Sequence, residues 1–235
     1  MYLIGVRVDN LMMQEVLQKI RGFLVDGRQH YIVTPNPEFL VRARKDEEFR
    51  EILNKADLAV PDGIGLIWAS KFLGQPLKER VSGTDLITRI MNSELGIKNN
   101  KIFLLGGRNG VAEKIARNWP EVVGYSENQD DCLDLINQCQ PNILFVALGA
   151  PKQEKWIVQN LKSVPSVRVA IGVGGAFDFL SGRISRAPRF TQKIGLEWLW
   201  RFCQQPRRLP RILNAIIIFP FLVFLSKFKI VDCSK

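Results

Sequence analysis

NILFVALGAPKQEKWIVQNL (142–161) holds the pattern that sets the fold. Residues 142–149 form an apolar run after Asn142, as expected of a strand buried on both faces. Gly149 and Pro151 break the strand, and a helical pattern follows over 152–161. The unit recurs in both directions. Further strands are expected at 3–8, 31–34, 58–60, 101–106, 122–125 and 167–173. Helices are expected at 11–24, 38–56 (divisible into two pieces), 63–73, 83–95, 110–119 and 129–139. Strands alternating with helices call for right-handed crossovers and a parallel sheet. The fold class is α/β: a Rossmann-like, mostly parallel sheet with helices on both faces, plus a basic helical C-terminal appendage.

The pattern fades after residue 173. GGAFDFLSGRISRAP (174–188) reads as a loop with at most a short helix, and residues 189–205 look helical again. The division expected is a catalytic domain over 1–188 and an appendage over 189–235. Charge supports it: residues 183–235 hold 11 of the 33 Lys/Arg but only 2 of the 23 Asp/Glu. Most of the net charge of +10 therefore sits there. QQPRRLPR (204–211) is followed by ILNAIIIFPFLVFL (212–225), 14 residues with one Asn and one Pro. A membrane-crossing helix needs about 20 apolar residues, so this run falls short. A basic, apolar tail suits an anionic membrane surface, with the run lying in the interface. A core helix or a contact between copies of the chain is the alternative, and a homo-oligomer stays open.

Other classes recede. Four scattered cysteines without a C-x-x-C pair argue for reduced thiols rather than a disulfide framework or zinc site. His30 is the sole histidine, which weakens any Ser-His or Cys-His nucleophile. Arg7 and Asp9 interrupt the N-terminal apolar run, so no signal peptide is expected. Together these favour a cytoplasmic setting. A nucleic-acid module using the tail aromatics Phe190, Trp198, Trp200 and Phe202 is disfavoured, because residues 215–225 carry no charge or hydrogen-bonding side chain. A nicotinamide-dependent oxidoreductase lacks its ribose-reading acid.

In parallel sheets ligands bind beyond the carboxyl ends of the strands. TPNPEF (34–39) places Thr34 and Asn36 there, held by Pro35 and Pro37. VPDGIG (60–65) places Asp62, either a general base or a helix cap. LLGGRNG (104–110) supplies Gly106 and Gly107 for close backbone approach, but has no P-loop Lys. ALGAPKQE (147–154) brings Gly149, Lys152 and Gln153, and GVGGAFDF (172–179) brings Asp178. No Asp-x-Asp motif follows any strand, so the usual carboxylate clamp for a metal–diphosphate is missing. The arginines of 183–211 are the cations at hand for a departing diphosphate.

With these motifs, together with ERVSGTDL (79–86) and GLEWLWRF (195–202), the chain resembles the WecG/TagA/CpsF family of bacterial glycosyltransferases. The resemblance implies inverting, metal-independent transfer of a sugar from a UDP-sugar to a polyprenyl-diphosphate-linked N-acetylglucosamine, without a cofactor. N-acetylmannosamine is the expected sugar and another UDP-hexose the alternative. The product would serve teichoic acid or other surface polysaccharide, made at the inner face of the plasma membrane. Carried over residue by residue, Asp62 matches the base, Thr34 and Asn36 match positions near the donor sugar, and Asp178 one near the nucleotide. Arg80 and Gln153 match polar active-site groups. Arginines of the appendage, to be found among Arg201, Arg207, Arg208 and Arg211, match those that neutralise the diphosphate.

Overall fold

The computed structural model of the chain describes residues 1–97, 99–130, 132–188, 190–191, 197–206 and 209–229. At its centre lie the strands β3 (His30–Val33), β4 (Leu58–Ala59), β5 (Ile102–Gly106), β6 (Val122–Ser126), β7 (Ile143–Ala147) and β8 (Val169–Gly172). They form one six-stranded sheet in the order β4-β3-β8-β7-β5-β6, all pairs parallel. Alternation along the central strands divides the core. Ile32, Leu104, Phe145, Val169 and Ile171 turn to one face, where α1 (Met13–Val25), α5 (Gly83–Met91), α6 (Val111–Ala116) and α9 (Ala176–Leu180) pack. Phe103, Leu105, Leu144, Val146 and Ala170 turn to the other, against α7 (Cys132–Cys139) and α8 (Lys152–Asn160). Burial on both faces explains why these strands read as continuous apolar runs.

Residues 3–8 differ from expectation. They are not a strand of the main sheet but part of a separate antiparallel hairpin, β1 (Tyr2–Leu3) and β2 (Val6–Arg7). Ile4 and Gly5 both take positive φ, 49° and 79°, which closes a two-residue turn. The run over 38–56 does divide, into α2 (Pro37–Ala43) and α3 (Glu47–Lys55), where Asp46 caps the second helix through the Phe49 N–H.

The C-terminal segment contains α10 (Glu197–Gln204), α11 (Leu209–Leu213), a π turn (Asn214–Ile218) and α12 (Phe219–Lys229). The last three form one continuous helix. Its Leu209–Phe228 span of 20 residues is long and apolar enough, by length and composition, to cross a membrane. The expectation that this run is too short is therefore corrected. Pro220 has no N–H to continue an α ladder. The wider π turn immediately before it, closed by the Phe219 N–H on the Asn214 carbonyl, absorbs the defect. One face of this helix is held by protein. Phe219 and Val223 are fully buried in a cluster with Phe39, Leu40, Phe49 and Leu66 of α2, α3 and α4 (Ile64–Phe72).

Candidate active site

The site is assembled by loops at the carboxyl edge of the sheet. Thr34 follows β3, and its hydroxyl donates to the Gly172 carbonyl at 3.2 Å, tying the ends of two central strands. Asn36 caps α2 by accepting the Phe39 N–H at 3.0 Å. Its oxygen is thus used structurally, while the residue still lines the cleft. Asp62 follows β4, and its backbone N–H donates to Pro35 O at 2.9 Å, which joins this loop to the first. Asp62 is not the cap of α4: that position is Gly63, with no side-chain cap bond. The Asp62 carboxylate instead receives the Gly83 N–H at the start of α5.

Asp62 is crowded by protein, and this burial pushes its pKa up to about 6. Arg80, the Gly83 N–H and Arg201 pull it down, while Glu197 pushes it further up. A carboxylate with this pKa is ionised at neutral pH and basic enough to take a proton.

Two cavities meet at Asp62. The larger is a polar cleft of about 1000 Å³, lined among others by Thr34, Gly107, Gly149, Gln153, Asp178 and Arg201. The smaller, about 280 Å³, is a more apolar groove running past Ile64, Arg80, Glu197, Trp198, Ile212 and Ile216. Asn36, Asp62, Arg201 and Arg211 line both.

Cations gather around this junction. Arg201 is largely buried, which lowers its pKa. Its Nη2 donates to Gly175 O at 3.3 Å, and its guanidinium lies 4.8 Å from the Phe179 ring centroid. Arg201 Nε is buried without a hydrogen-bond partner among the described residues, as are Nε and Nη2 of Arg186. Of these, Arg201 lines both cavities, and an unused guanidinium donor there suits an anionic ligand. Arg211 Nε lies 3.5 Å from Glu38, and Arg186 Nη1 lies 2.5 Å from Asp85. Arg207 and Arg208, the other expected arginines, lie outside the described residues.

Two expected residues among those described line neither cavity. Lys152 points to solvent. Gly106 answers to packing: a Cβ there would come within 2.8 Å of the Ala147 backbone on β7. Gln153 lines the cleft but is turned inward, its Oε1 accepting the N–H groups of Gly149 and Gly174. Asp178 stands 3.9 Å from Arg183. His30 sits at the opposite end of β3, its ring nitrogens 2.9 Å from Asp26 and Asp57. Sequence reasoning missed Glu197, whose carboxylate pairs with Arg80 at 3.3 Å. The available signal was its rarity, one of two acids in 183–235. Among the described residues no three Cys, His, Asp or Glu side chains converge as ligands of one metal ion.

A family model described as the glycosyl transferase WecG/TagA/CpsF family matches residues 1–232. A protein of Bacillus spizizenii named N-acetylglucosaminyldiphosphoundecaprenol N-acetyl-beta-D-mannosaminyltransferase is 36% identical over 202 residues, covering 82% of this chain and 78% of the relative. A Staphylococcus aureus protein of the same name is 32% identical over 240 residues, covering 97% and 93%. Strand-end loops, the Asp62 junction and these matches converge: the chain belongs to the WecG/TagA/CpsF family of glycosyltransferases.

Proposed function

We propose that this enzyme transfers N-acetylmannosamine from a UDP-sugar to N-acetylglucosaminyl-diphosphoundecaprenol, with inversion and without a metal ion. The observation that carries the reading is the position of Asp62 between a polar cleft and an apolar groove. The cleft takes the UDP-sugar and the groove takes the acceptor. The names of the relatives support the acceptor and the transferred sugar.

The acceptor hydroxyl gives its proton to the Asp62 carboxylate as its oxygen bonds the anomeric carbon. The bond to UDP breaks on the opposite face, and UDP leaves with the electron pair. Such a transition state needs a base on one side and positive charge on the other. Arg201 and Arg211 supply that charge, assisted by Arg207 and Arg208. Arg80 orients the acceptor beside Asp62, and Thr34, Asn36 and Asp178 hold the donor.

Residues 1–188 form the catalytic unit in this reading, and 189–235 form an appendage that completes the site and touches the inner leaflet. An exposed aromatic strip supports the membrane contact. Trp68 stacks on Phe72 at 5.4 Å, Phe72 lies 6.4 Å from Phe224, and Phe224 lies 4.7 Å from Phe228. Lys227 Nζ sits 4.2 Å from the Phe72 ring centroid, a cation placed for lipid head groups. The groove opens along Ile212, Ala215 and Ile216 of the same helix, so a lipid-linked acceptor reaches Asp62 from that surface. The test is a screen of UDP-sugars with a short-chain lipid-diphosphate-GlcNAc acceptor, with and without chelator. Turnover fastest with UDP-N-acetylmannosamine and unchanged by chelator is expected. Absence of transfer with every UDP-sugar overturns the proposal.

A further inference from the structure

Directly behind the polar cleft lies a charged side chain for which the transfer chemistry has no use. Glu154 of α8 is fully buried. Its Oε1 accepts from Gln153 Nε2 at 2.7 Å, and its Oε2 is buried with no hydrogen-bond partner among the described residues. Gln153 is 1% exposed, and its Oε1 accepts the Gly149 N–H at 3.1 Å and the Gly174 N–H at 3.0 Å. One amide therefore bridges the two loops that floor the cleft. The pair is closely fitted: a Cβ on Gly172 would fall 2.8 Å from Gln153 Nε2 and 3.0 Å from Glu154 Oε1.

The chemistry of the partners dictates the amide's orientation. Two backbone N–H groups only donate, so they require the amide oxygen. A carboxylate only accepts, so it requires the amide NH₂. A flipped Gln153 would set NH₂ against two donors and its oxygen against an anion. We propose that Glu154 is a positioning residue for the transfer reaction: its carboxylate locks the Gln153 amide in the orientation that clips the Gly149 and Gly174 loops together, and so holds the cleft floor in its donor-binding shape. The inference rests on the assignment of this cleft to the UDP-sugar.

Burial also pushes the Glu154 pKa up to about 7, against the pull of Gln153, its own backbone N–H and Arg42. Arg42 of α2 grips the same floor, donating to Ala150 O at 3.2 Å. Asp46, the cap of α3, and Glu48 in its first turn pair with Lys155. Strands β7 and β8 carry no titratable side chain. On β3, His30 is held by Asp26 and Asp57, and Tyr31 donates to Ile52 O. Protonating Glu154 removes the charge that enforces the amide's orientation. Donor binding should therefore weaken as pH falls through about 7.

The test uses the full chain with UDP as the probe. E154M removes both oxygens. It is expected to raise the UDP Kd and the donor KM about tenfold, the worth of one hydrogen bond to a charged group, with acceptor KM unchanged. E154Q returns an acceptor oxygen without the charge, so it should recover only part of that loss and match wild type below the pH step. A merely structural role would leave donor KM unmoved in both, since an apolar replacement of a buried acid is itself tolerable. Titration of UDP binding against pH in D62N and in D62N/E154Q gives a second readout, free of Asp62. The step near pH 7 should be present in the first and absent from the second, and this holds even if E154M fails to fold. UDP binding alike in wild type and E154M, or identical pH profiles in D62N and D62N/E154Q, overturns the inference. Failure of wild type to bind UDP instead overturns the donor assignment.

Discussion

The Arg80 guanidinium and the Glu197 carboxylate lie 3.3 Å apart on the wall of the groove that ends at Asp62. Glu197 therefore has two effects on Asp62, the proposed base: its own negative charge raises the Asp62 pKa, and it occupies the cation that lowers it. Replacing Glu197 by Gln removes the first effect and frees Arg80. The acidic limb of the kcat profile should move to lower pH, so that at about pH 5.5 the variant retains a larger fraction of its plateau rate than the wild type. A limb that stays in place or moves upward would refute this electrostatic account.

As the proposed base, Asp62 should set the position of that limb. Activity should fall as pH drops through about 6, where the carboxylate takes up a proton. Asp62→Asn should lower kcat by about 10²–10⁴, the usual contribution of a positioned base. Stability should change in the opposite direction. The folded chain raises this pKa above the ordinary 3.8, so ionising Asp62 costs stability as pH rises from about 4 to about 6, and the whole cost stands above that. The Asp62→Asn variant should therefore melt a few degrees above wild type at about pH 8. Calorimetry beside steady-state kinetics checks both signs.

Arg201 is the described arginine that combines burial, an unused Nε and a place in both cavities. Lysine keeps a positive charge but loses the planar fork that binds a phosphate through two N–H groups. Arg201→Lys should reduce kcat on the order of 10²-fold and weaken product inhibition by UDP, as expected when a charge-stabilising donor is withdrawn. Unchanged kcat with unchanged UDP inhibition would remove Arg201 from the leaving-group side.

The two sides of the C-terminal helix should respond differently. Phe219 is fully buried against α2 and α4, so Phe219→Ala should destabilise the whole chain by about 3–5 kcal/mol in denaturant titration. Phe224 and Phe228 are 50% and 59% exposed, so Phe224→Ser with Phe228→Ser should leave stability nearly intact. That double variant should bind anionic vesicles at least about tenfold more weakly, from the loss of exposed aromatic surface. Turnover with a water-soluble short-chain acceptor should persist. Equal vesicle sedimentation of double variant and wild type would show that this strip is not the membrane contact. Point variants are the better probe, because truncation near residue 190 would also strip Phe219 and Val223 from a shared core.

Much of the architecture was legible in residue order. Apolar runs, glycine breaks and helical spacing are properties of short segments, and they located the strands of the main sheet to within a few residues. The exception was 3–8, where two residues at positive φ turn one apparent strand into a hairpin. The candidate site was legible as loops: Thr34, Asn36, Asp62, Gly149, Gln153 and Asp178 all line the cleft. Single residues within those loops were less so, because Gly106 and Lys152 share the motifs while one faces β7 and the other faces water.

The amino-acid order by itself therefore determined the α/β layering and the set of polar strand-end loops, since both arise from interactions among near neighbours in the chain. Only the tertiary structure decided which charges meet. Arg80 reaches Glu197 across 117 residues, and Gln153 bridges loops 25 residues apart at Gly149 and Gly174. Those meetings depend on the strand order β4-β3-β8-β7 and on the packing of the last helices over the sheet edge. A pKa, likewise, is a property of surroundings: the same carboxyl group is an ordinary acid in the extended chain and titrates at about 6 once the fold buries it, an effect that Glu197 reinforces and Arg80 and Arg201 oppose.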